Sequence, residues 1–499
     1  VRQPITNFAE YSSARQQQVA VTTPQTPQAP APPPPPQQRS IIVFVERFQL
    51  ASFRSDPMFA AMKKLLHDSV RPGDRVMVVS WNHGLVGVRQ TFTDDLAKVD
   101  KALDALAART KTVTLDRMDD LRQELDAIAA FESEGAGFTK FGFGGSNTLG
   151  ASNLPYFEEQ TARMSAKVAF TDERQKVETL KALMRSAASV DGRKVLLLAT
   201  HRLSMYAGAE ALFMAGTSEV GADFRSEFDA RPMIMSLSET ANANGFTIYP
   251  IYAEGLDSSS MPSADMKRQL GPQFDYLVLN NETPMLEYVA KETGGVAAWG
   301  STDVTNLLPR IGDDFESYYS LAYRATPGKA ASRKVEVRVK DPKLSVRSRR
   351  QFVPKNDVVR MEDRVIGTLF GNAPASAFAF VVKSDPVTRG KDKTYLIPIT
   401  VEVPIAALTS IRGEGNKFNG AFSVYLAWGS MIGGVSETHH DTEQFTINEA
   451  DMERAKRSHL TYTISVASLT PSLRLALGVY DEVGRDYAVK LVDLEAPAK

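Results

Sequence analysis

The sequence predicts an α/β domain whose mostly parallel sheet carries helices on both faces, followed by an all-β sandwich domain. Between residues 40 and 325, short apolar runs alternate with helical segments, as successive βαβ units require. Residues 326–352 form a charged β-hairpin pattern, and residues 353–499 alternate apolar and polar positions like antiparallel strands. Residues 1–39 are rich in Pro and Gln, which predicts an extended tail, although residues 1–12 could add an edge strand.

The predicted sheet of the α/β domain is built from apolar runs bounded by turn residues. Continuous apolar runs indicate strands that helices bury on both faces. The strand cores lie at residues 41–45, 75–81, 194–200 and 246–253, with a weaker one at 294–299.

Amphipathic segments between these strands predict helices, because their apolar residues recur three and four positions apart. Asp56 before Pro57, Thr93 before Asp94, and Gly245 are the expected boundary residues. The predicted helices cover residues 57–70, 94–109, 115–133, 172–190, 226–245 and 282–295.

The last part of the chain predicts a β-sandwich with little helix. Within it, the segment SETHHDTEQF (436–445) carries His439, His440 and Asp441. Adjacent histidines in a strand point to opposite faces and cannot readily share one ion, so a polar turn is expected there. The expected strands lie at residues 377–384, 393–404, 421–430, 459–468 and 472–483.

Composition narrows the possible function classes. The chain has 499 residues and a formal net charge of −1, so no global field draws it to nucleic acid or acidic lipid. The lack of cysteine excludes thiol catalysis, zinc–thiolate sites and disulfides. Together with Val1 as the first residue, it indicates an exported chain whose secretory signal was removed, in an extracytoplasmic location (periplasmic, cell-surface or secreted). No apolar stretch approaches the length of a membrane span.

Two patterns suggest chemistry that their context does not support. Ser80, His83 and Asp94 could supply a nucleophile, a base and an acid, but SWNHG lacks the strained turn of G-x-S-x-G. His83 is instead expected in the turn of a hairpin. The basic hairpin 333–350 could face nucleic acid, but it has no aromatic platform, so an edge strand protected by charge is preferred.

A Gly- and Phe-rich segment at about residues 135–155 predicts a flexible insertion. It lacks the phosphate-loop signature, and its Phe138, Phe141 and Phe143 could dock on a partner or a neighbouring subunit. Residues 201–225 predict a long loop or short helix above the rim of the sheet. Tyr206 in that segment suits apolar contact with a partner or packing beneath the loop.

Several segments resemble a von Willebrand factor A (vWA) domain. RPGDRVMVVSW followed by TFTDDLAKVDKALDAL is similar to its second strand and next helix, and DGRKVLLLAT and ANANGFTIYPIYAEGL are similar to later strands. The closing YYSLAYRATPGKAASRKVEVRVKDPKLSVRSRRQF resembles the terminal hairpin of vWA-related proteins abundant in Acidobacteria. The resemblance covers about residues 40–351, and it implies a vWA-like fold in a mostly exported family.

The resemblance also implies a Mg²⁺ or Mn²⁺ site, in which Asp-x-Ser-x-Ser at the first strand's tip supplies oxygen ligands. In this sequence Glu46 stands at the Asp position, whereas Phe48 and Leu50 stand at the two Ser positions. Thr200 and His201 stand where a later loop would give Asp-Gly. The implied adhesion site is therefore degenerate, and no metal or cofactor is expected.

After the first strand of the predicted sheet, the sequence has a charged residue, Arg47, and an aromatic residue, Phe48, in place of metal ligands. Phe48 could act as an apolar anchor and Arg47 as a directional donor on a metal-free contact surface. Alternatively, Phe48 is tucked under a loop while Glu46 and Arg47 pair with local charges. The candidate partner-binding residues are Glu46, Arg47, Phe48, His201, Arg202, Tyr206, Phe138, Phe141 and Phe143.

The sequence thus predicts a non-enzymatic, exported bacterial protein for protein–protein interaction, adhesion or assembly. Its partners would be other proteins or further copies of the chain, with no nucleic acid, membrane span or small-molecule substrate. The alternatives are a structural subunit of an extracellular assembly and, with less support, a hydrolase using Ser80 and His83.

Overall fold

The computed structural model divides the chain into two compact units. The first comprises residues 1–181 and 192–353, and the second comprises residues 182–191 and 354–499. The structure describes residues 3–12, 38–46, 52–82, 85–110, 154–190, 192–200, 202–215, 221–252, 272–299, 308–323, 332–369, 373–385, 387–389, 394–430, 434–468 and 472–494.

A five-stranded sheet forms the centre of the first unit, in the order β4-β3-β2-β5-β6. All neighbours run parallel except β4, which pairs antiparallel with β3 at one edge. Every residue of β2 is buried, as its continuous apolar run predicts. The strands are β2 (Arg39–Glu46), β3 (Arg75–Asn82), β4 (Leu85–Thr93), β5 (Arg193–Thr200) and β6 (Phe246–Tyr252).

Helices cover this sheet, and the sequence-based expectation of a mixed α/β unit with parallel strands is confirmed. Alternate residues of β2, such as Ile41 and Val43, pack with α1, α2 and α8 in one apolar cluster, while Ile42 and Phe44 are buried on the opposite face. The helices are α1 (Ser52–Ser69), α2 (Leu96–Thr110), α3 (Leu154–Ser186), α4 (Ala209–Met214), α5 (Ala222–Glu227), α6 (Arg231–Asn244), α7 (Pro272–Thr293) and α8 (Leu308–Glu316).

Helix boundaries agree with the sequence where capping groups are present. Thr93 Oγ1 accepts a hydrogen bond from the backbone N–H of Asp95 at 3.1 Å, just before α2 begins. Gly245 ends α6 in the left-handed conformation (φ 77°), as expected of a C-terminal glycine. The Asp56–Pro57 boundary is wrong, because α1 begins at Ser52 and contains Pro57.

Helix α3 begins at Leu154, well before the predicted start at residue 172. Its early part presents two small residues, Ala162 and Ala166, to an apolar cluster formed with α4 and α5. The approach is close: a Cβ on Gly208 would lie 2.4 Å from the Ala166 Cα. This helical face is short of large apolar residues, which is why the sequence pattern did not reveal it. The predicted helix 115–133 lies outside the described residues.

Two segments of the first unit, residues 294–299 and the N-terminal tail, differ from expectation. Residues 294–299 contribute only a single bridge, between Ile251 and Ala298, in place of a sixth strand. The predicted tail includes a strand, β1 (Ile5–Ser12), which pairs antiparallel with β7 (Ser317–Tyr323) in a separate two-stranded sheet. Of the two expectations for residues 1–12, a strand agrees with the structure and an extended tail does not.

Residues 332–352, the described part of the predicted hairpin 326–352, are mostly irregular. Among them, the paired strands are β8 (Arg333–Lys334) and β9 (Gln351–Phe352). The charges of this segment do not all face solvent: the Arg349 guanidinium donates to the Gly245 carbonyl at the end of α6, and desolvation lowers its pKa to about 10. The Arg347 guanidinium pairs with the Asp314 carboxylate.

The second unit contains two packed antiparallel sheets, as a sandwich requires. One contains β10, β11, β12 and β17, and the other contains β13, β14, β15, β16, β18 and β19. The strands are β10 (Val381–Ser384), β11 (Thr388–Arg389), β12 (Tyr395–Pro404), β13 (Ile411–Arg412), β14 (Lys417–Ser430), β15 (Gly434–Val435), β16 (His439–Asn448), β17 (His459–Ser468), β18 (Leu473–Asp481) and β19 (Tyr487–Leu494).

Side chains that alternate along β14 contribute to two separate apolar layers of this unit. Val424 and Leu426 pack with residues of β12 between the sheets, whereas Tyr425 and Ala427 pack against α9 (Asp357–Leu369) on the other side. Helix α9 was not expected, and a shorter helix α10 (Met452–Ala455) follows β16. The polar turn predicted at 436–445 is wrong, because most of that segment belongs to β16.

Candidate functional site

The candidate site lies at the carboxyl ends of two neighbouring parallel strands of the central sheet. Glu46 ends β2 and Thr200 ends β5, and both side chains are buried. Helix α3 places Glu173 and Lys176 over this edge, where both are also buried. This end of a parallel sheet is where open α/β folds hold ligands.

The Lys176 ammonium is surrounded by oxygen atoms. Its Nζ lies 3.4 and 3.3 Å from the two carboxylate oxygens of Glu46 and 3.1 Å from Glu173 Oε2. It also donates a hydrogen bond to the Arg202 carbonyl at 2.7 Å. The Trp81 ring centroid lies 5.9 Å away, so an aromatic face borders the cation.

Thr200 connects the two strand tips. Its hydroxyl donates to Glu46 Oε2 at 2.5 Å and lies 3.1 Å from the Arg202 carbonyl oxygen. Glu46 is therefore held by an ammonium and a hydroxyl, and only 7% of it is exposed. A residue this enclosed contributes little to a contact surface, which removes Glu46 from the predicted set of partner contacts.

Two carboxylates around one ammonium leave an excess of negative charge in a buried place. Burial raises the pKa of Glu173 above 4.5, and the charge of Glu46 acts in the same direction against the lowering effect of Lys176. Burial alone would lower the pKa of Lys176, but the charges of Glu173 and Glu46 outweigh it and raise that pKa. Glu173 Oε1 has no hydrogen-bond partner among the described residues, so one oxygen of this buried carboxyl is unsatisfied there.

The segment after β5 makes an internal ion pair and hydrogen bonds to α7. The Arg202 guanidinium pairs with the buried Glu210 carboxylate. Further along, the Asn281 side chain of α7 accepts from the Tyr206 N–H and donates to the Tyr206 carbonyl, both at 2.9 Å. The two hydrogen bonds of the Asn281 side chain connect this segment to α7.

Tyr206 is half-buried: it packs against the apolar cluster of α3, α4 and α5 and lies between two arginines. The guanidinium carbons of Arg225 and Arg231 lie 5.8 and 5.0 Å from its ring centroid. Arg231 also makes two hydrogen bonds to the Asp229 carboxylate at 2.8 Å, which lower the pKa of Asp229. We call Tyr206, Arg225 and Arg231 the rim patch.

The residues at the strand tips do not fit a bound divalent cation. A hard cation needs carboxylate, hydroxyl and water oxygens that are free to face it. The Glu46 oxygens face Lys176 and Thr200 instead, and an ammonium already stands among them. Across the described residues, no group of three or more His, Cys, Asp or Glu side chains could hold a metal ion.

The two described members of the predicted hydrolase set, Ser80 and Asp94, lie apart. Ser80 is buried, and its hydroxyl accepts from Arg89 Nε at 2.8 Å and donates to the Gly87 carbonyl at 3.3 Å. Asp94 follows Thr93, which lies opposite Val76, four residues from Ser80 along β3 and so roughly 13 Å away. His83 lies outside the described residues.

The two adjacent histidines of β16 point to opposite faces of their strand, as strand geometry requires. The His440 ring stacks on Tyr425 with 5.4 Å between centroids, whereas His439 Nε2 lies 3.4 Å from the Tyr462 hydroxyl. They therefore share no ion.

The sequence analysis missed Lys176, the buried cation that pairs with Glu46. Lys176 comes from a helix 130 residues later in the chain. One sequence signal could have indicated that Lys176 is buried. Lys176 lies four residues before the apolar Leu180, so both are on the apolar face of the helix, and Glu173 lies on the same face. The candidates outside the described residues are Arg47, Phe48, Leu50, Phe138, Phe141, Phe143 and His201.

No family model and no curated protein matches the chain. Among solved structures, three N-terminal domains of the type V pili tip protein Mfa5 from Porphyromonas gingivalis match at 9% identity and a TM-score of 0.28, covering 98% of this chain and 77% of that one. The vWF domain of the same protein matches at 11% identity and a TM-score of 0.16, covering 34% and 38%.

An aerotolerance-related membrane protein from Bacteroides fragilis matches at 12% identity and a TM-score of 0.25, covering 56% of this chain and 98% of that one. TM-scores this low carry no residue's role over to this chain. Among the described residues, no helix combines the length and apolar character needed to cross a lipid bilayer.

Proposed function

We propose that this chain is a non-enzymatic, exported protein for protein–protein interaction or assembly, whose α/β unit is of the vWA type with a degenerate metal-ion-dependent adhesion site. The observation that carries the proposal is the buried Lys176 ammonium, which contacts both oxygens of Glu46 at the strand tips. An internal cation there makes a bound metal unnecessary for holding this edge together.

The internal cation also argues against a small-molecule substrate at this edge. Lys176 and Thr200 take up the Glu46 carboxylate, and Arg202 closes the edge through its carbonyl. No general acid or base is left facing solvent among these groups, since Glu46, Glu173 and Lys176 are all buried. The proposed interaction therefore uses the outer surface of the rim.

The rim patch supplies that surface. Tyr and Arg are the residue types most enriched among the energetically dominant contacts of protein interfaces. Asn281 holds the Tyr206 backbone, so the ring is presented without a large ordering cost on binding. The proposed partner is another protein, and binding is independent of divalent cations.

The experiment is photo-cross-linking in cells that naturally express the chain. A photoreactive amino acid replaces the exposed Ser226 in α5, beside Arg225, and a control variant carries it at the exposed Lys101 in α2. We expect protein adducts from position 226 that persist in EDTA and are lost when Tyr206→Ala is added, with few adducts from position 101.

Adducts that EDTA abolishes would contradict the metal-independent rim, and no adducts above the control would contradict the interaction itself. Calorimetric titration of the purified chain with Mg²⁺, Mn²⁺ and Ca²⁺ gives a second check. We expect no saturable heat, and binding that is lost in Glu46→Ala would show that the strand tips do hold a metal.

A further inference from the structure

Strands β1 and β7 form a two-stranded sheet that is separate from the five-stranded sheet of the first unit. Its register runs antiparallel from Ile5 opposite Tyr323 to Ser12 opposite Ser317. In the described residues, neither strand pairs with any other strand. Isolated two-stranded ribbons are marginally stable in water, so this one depends on what anchors each strand.

Strand β7 is anchored to the first unit. It continues directly from α8, and the Arg39 guanidinium donates to the Phe315 carbonyl at 2.8 Å just before it begins. The Arg193 guanidinium stacks 4.6 Å from the Tyr318 ring centroid. At the other end, the Tyr323 and Phe352 rings meet edge-to-face at 6.1 Å.

Strand β1 has few such anchors. Ile5 is 61% exposed and Phe8 is 38% exposed, although both are large apolar residues. The Phe8 ring contacts Tyr319 of β7 at 5.6 Å, and Tyr319 is itself 62% exposed. Main-chain pairing to β7 therefore supplies most of what holds β1.

The connection from β1 to the rest of the chain is long. Residues 13–37 separate Ser12 from the segment that starts β2, and a chain of that length can span on the order of 80 Å. Strand β1 of one copy can therefore reach β7 of another without disturbing either central sheet. The same residues would pair in the same register, which is the condition for exchange of an identical element between copies.

We propose that β1 is an exchangeable strand, and that Ile5–Ser12 of a second copy can occupy β7 of this one. The occupant is a further copy of this chain, because β7 already accepts this sequence over its whole length. Exchange links copies through main-chain hydrogen bonds and turns the chain into a self-assembling unit. The proposal rests on the assembly role proposed above and gives it one partner.

The absence of cysteine makes a direct test possible. Ala9 and Ser320 lie directly opposite each other, so cysteines at these positions fall within the Cα separation that a disulfide bridges. Purified Ala9→Cys and Ser320→Cys chains are mixed in equal amounts at high concentration and oxidised. Disulfide-linked heterodimers are then measured on non-reducing gels and by mass spectrometry.

We expect heterodimer formation that is lost on dilution. Each single variant alone, and Ala9→Cys mixed with Ser317→Cys at the far end of β7, should give little product, because those cysteines are not opposed. The double variant Ala9→Cys/Ser320→Cys in one chain reports whether the ribbon forms at all. At low concentration it should close an intrachain bond.

An intrachain bond in the double variant without heterodimer in the mixture would overturn the proposal, since β1 would then stay in its own chain. Failure of the double variant to close would overturn it too, because the ribbon would not exist in solution. Neither result affects cross-linking from position 226, so failure of strand exchange and failure of the rim interaction are distinguishable.

Discussion

Lys176 Nζ lies 3.1 Å from Glu173 Oε2 on the same buried face of α3, three residues apart. The ammonium is shared with Glu46, so one positive charge serves two carboxylates. Burial raises the pKa of Glu173, and this imbalance gives the edge of the sheet a dependence on pH.

The first prediction concerns that pH dependence. A carboxyl whose pKa is raised on folding stabilises the folded state fully below its unfolded pKa, near 4.5, and this stabilisation is lost as pH rises through the folded value. Glu173→Gln cannot lose a proton, so its free energy of unfolding should fall less than the wild type's above pH 4.5. Urea unfolding across this range measures the difference. Glu178→Gln in the same helix, on an exposed carboxyl, should keep the wild-type slope.

The second prediction concerns the ammonium itself. Lys176→Met leaves Glu46 and Glu173 buried without their cation, and breaking a buried pair costs about 3–5 kcal/mol of unfolding free energy. Lys167→Met, at an exposed position of the same helix, should stay within about 0.5 kcal/mol. Equal effects of the two substitutions in urea unfolding would show that Lys176 is not paired as described.

The third prediction concerns the opposite end of β2. Arg39 is buried, and its Nε donates to Asp74 Oδ2 at 2.9 Å while its backbone N–H donates to Asp74 Oδ1 at the same distance. Asp74→Asn should lower the free energy of unfolding by about 3–5 kcal/mol, because the guanidinium stays buried without a counter-ion. Asp68→Asn breaks an exposed pair with Lys64 and should change it by less than about 1 kcal/mol.

The fourth prediction concerns the turn before β5. Gly192 has a φ of +93°, and a Cβ there would lie 1.9 Å from the Gln38 carbonyl oxygen. Gly192→Ala should therefore cost at least about 1–3 kcal/mol in thermal or urea unfolding. A Cβ on Gly221 meets no atom of the described residues within 4 Å, so Gly221→Ala is the control. A smaller loss at Gly192 than at Gly221 would contradict the described turn.

The sequence predicts the parallel part of the central sheet well because β2, β3, β5 and β6 are apolar over most of their length. The burial of every residue from Arg39 to Glu46 is the physical counterpart of that pattern. Strand β16 was missed, and β1 was given only as an alternative, because the described side chains of both strands are mostly exposed. Such strands are held mainly by main-chain hydrogen bonds. Because every residue type except proline can make these bonds, the amino-acid sequence gives little indication of them.

The candidate site was predictable only in part, for a related reason. The position of Glu46 at a strand tip follows from local pattern, whereas its contact with Lys176 depends on how a distant helix crosses the sheet. Helix α9 was missed for a different reason. Its Met361, Val365 and Leu369 recur at helical spacing, so the signal was present but the surrounding strands hid it.

The pairing of β1 with β7 has a consequence for how the chain folds as it is synthesised. Ser12 pairs with Ser317, which a ribosome adds roughly 300 residues later. At roughly 5–20 residues per second, β1 waits on the order of 15–60 s before its own partner strand exists. The ribbon is therefore among the last contacts of the first unit that a growing chain can form, whereas the strands of the central sheet are complete at Tyr252.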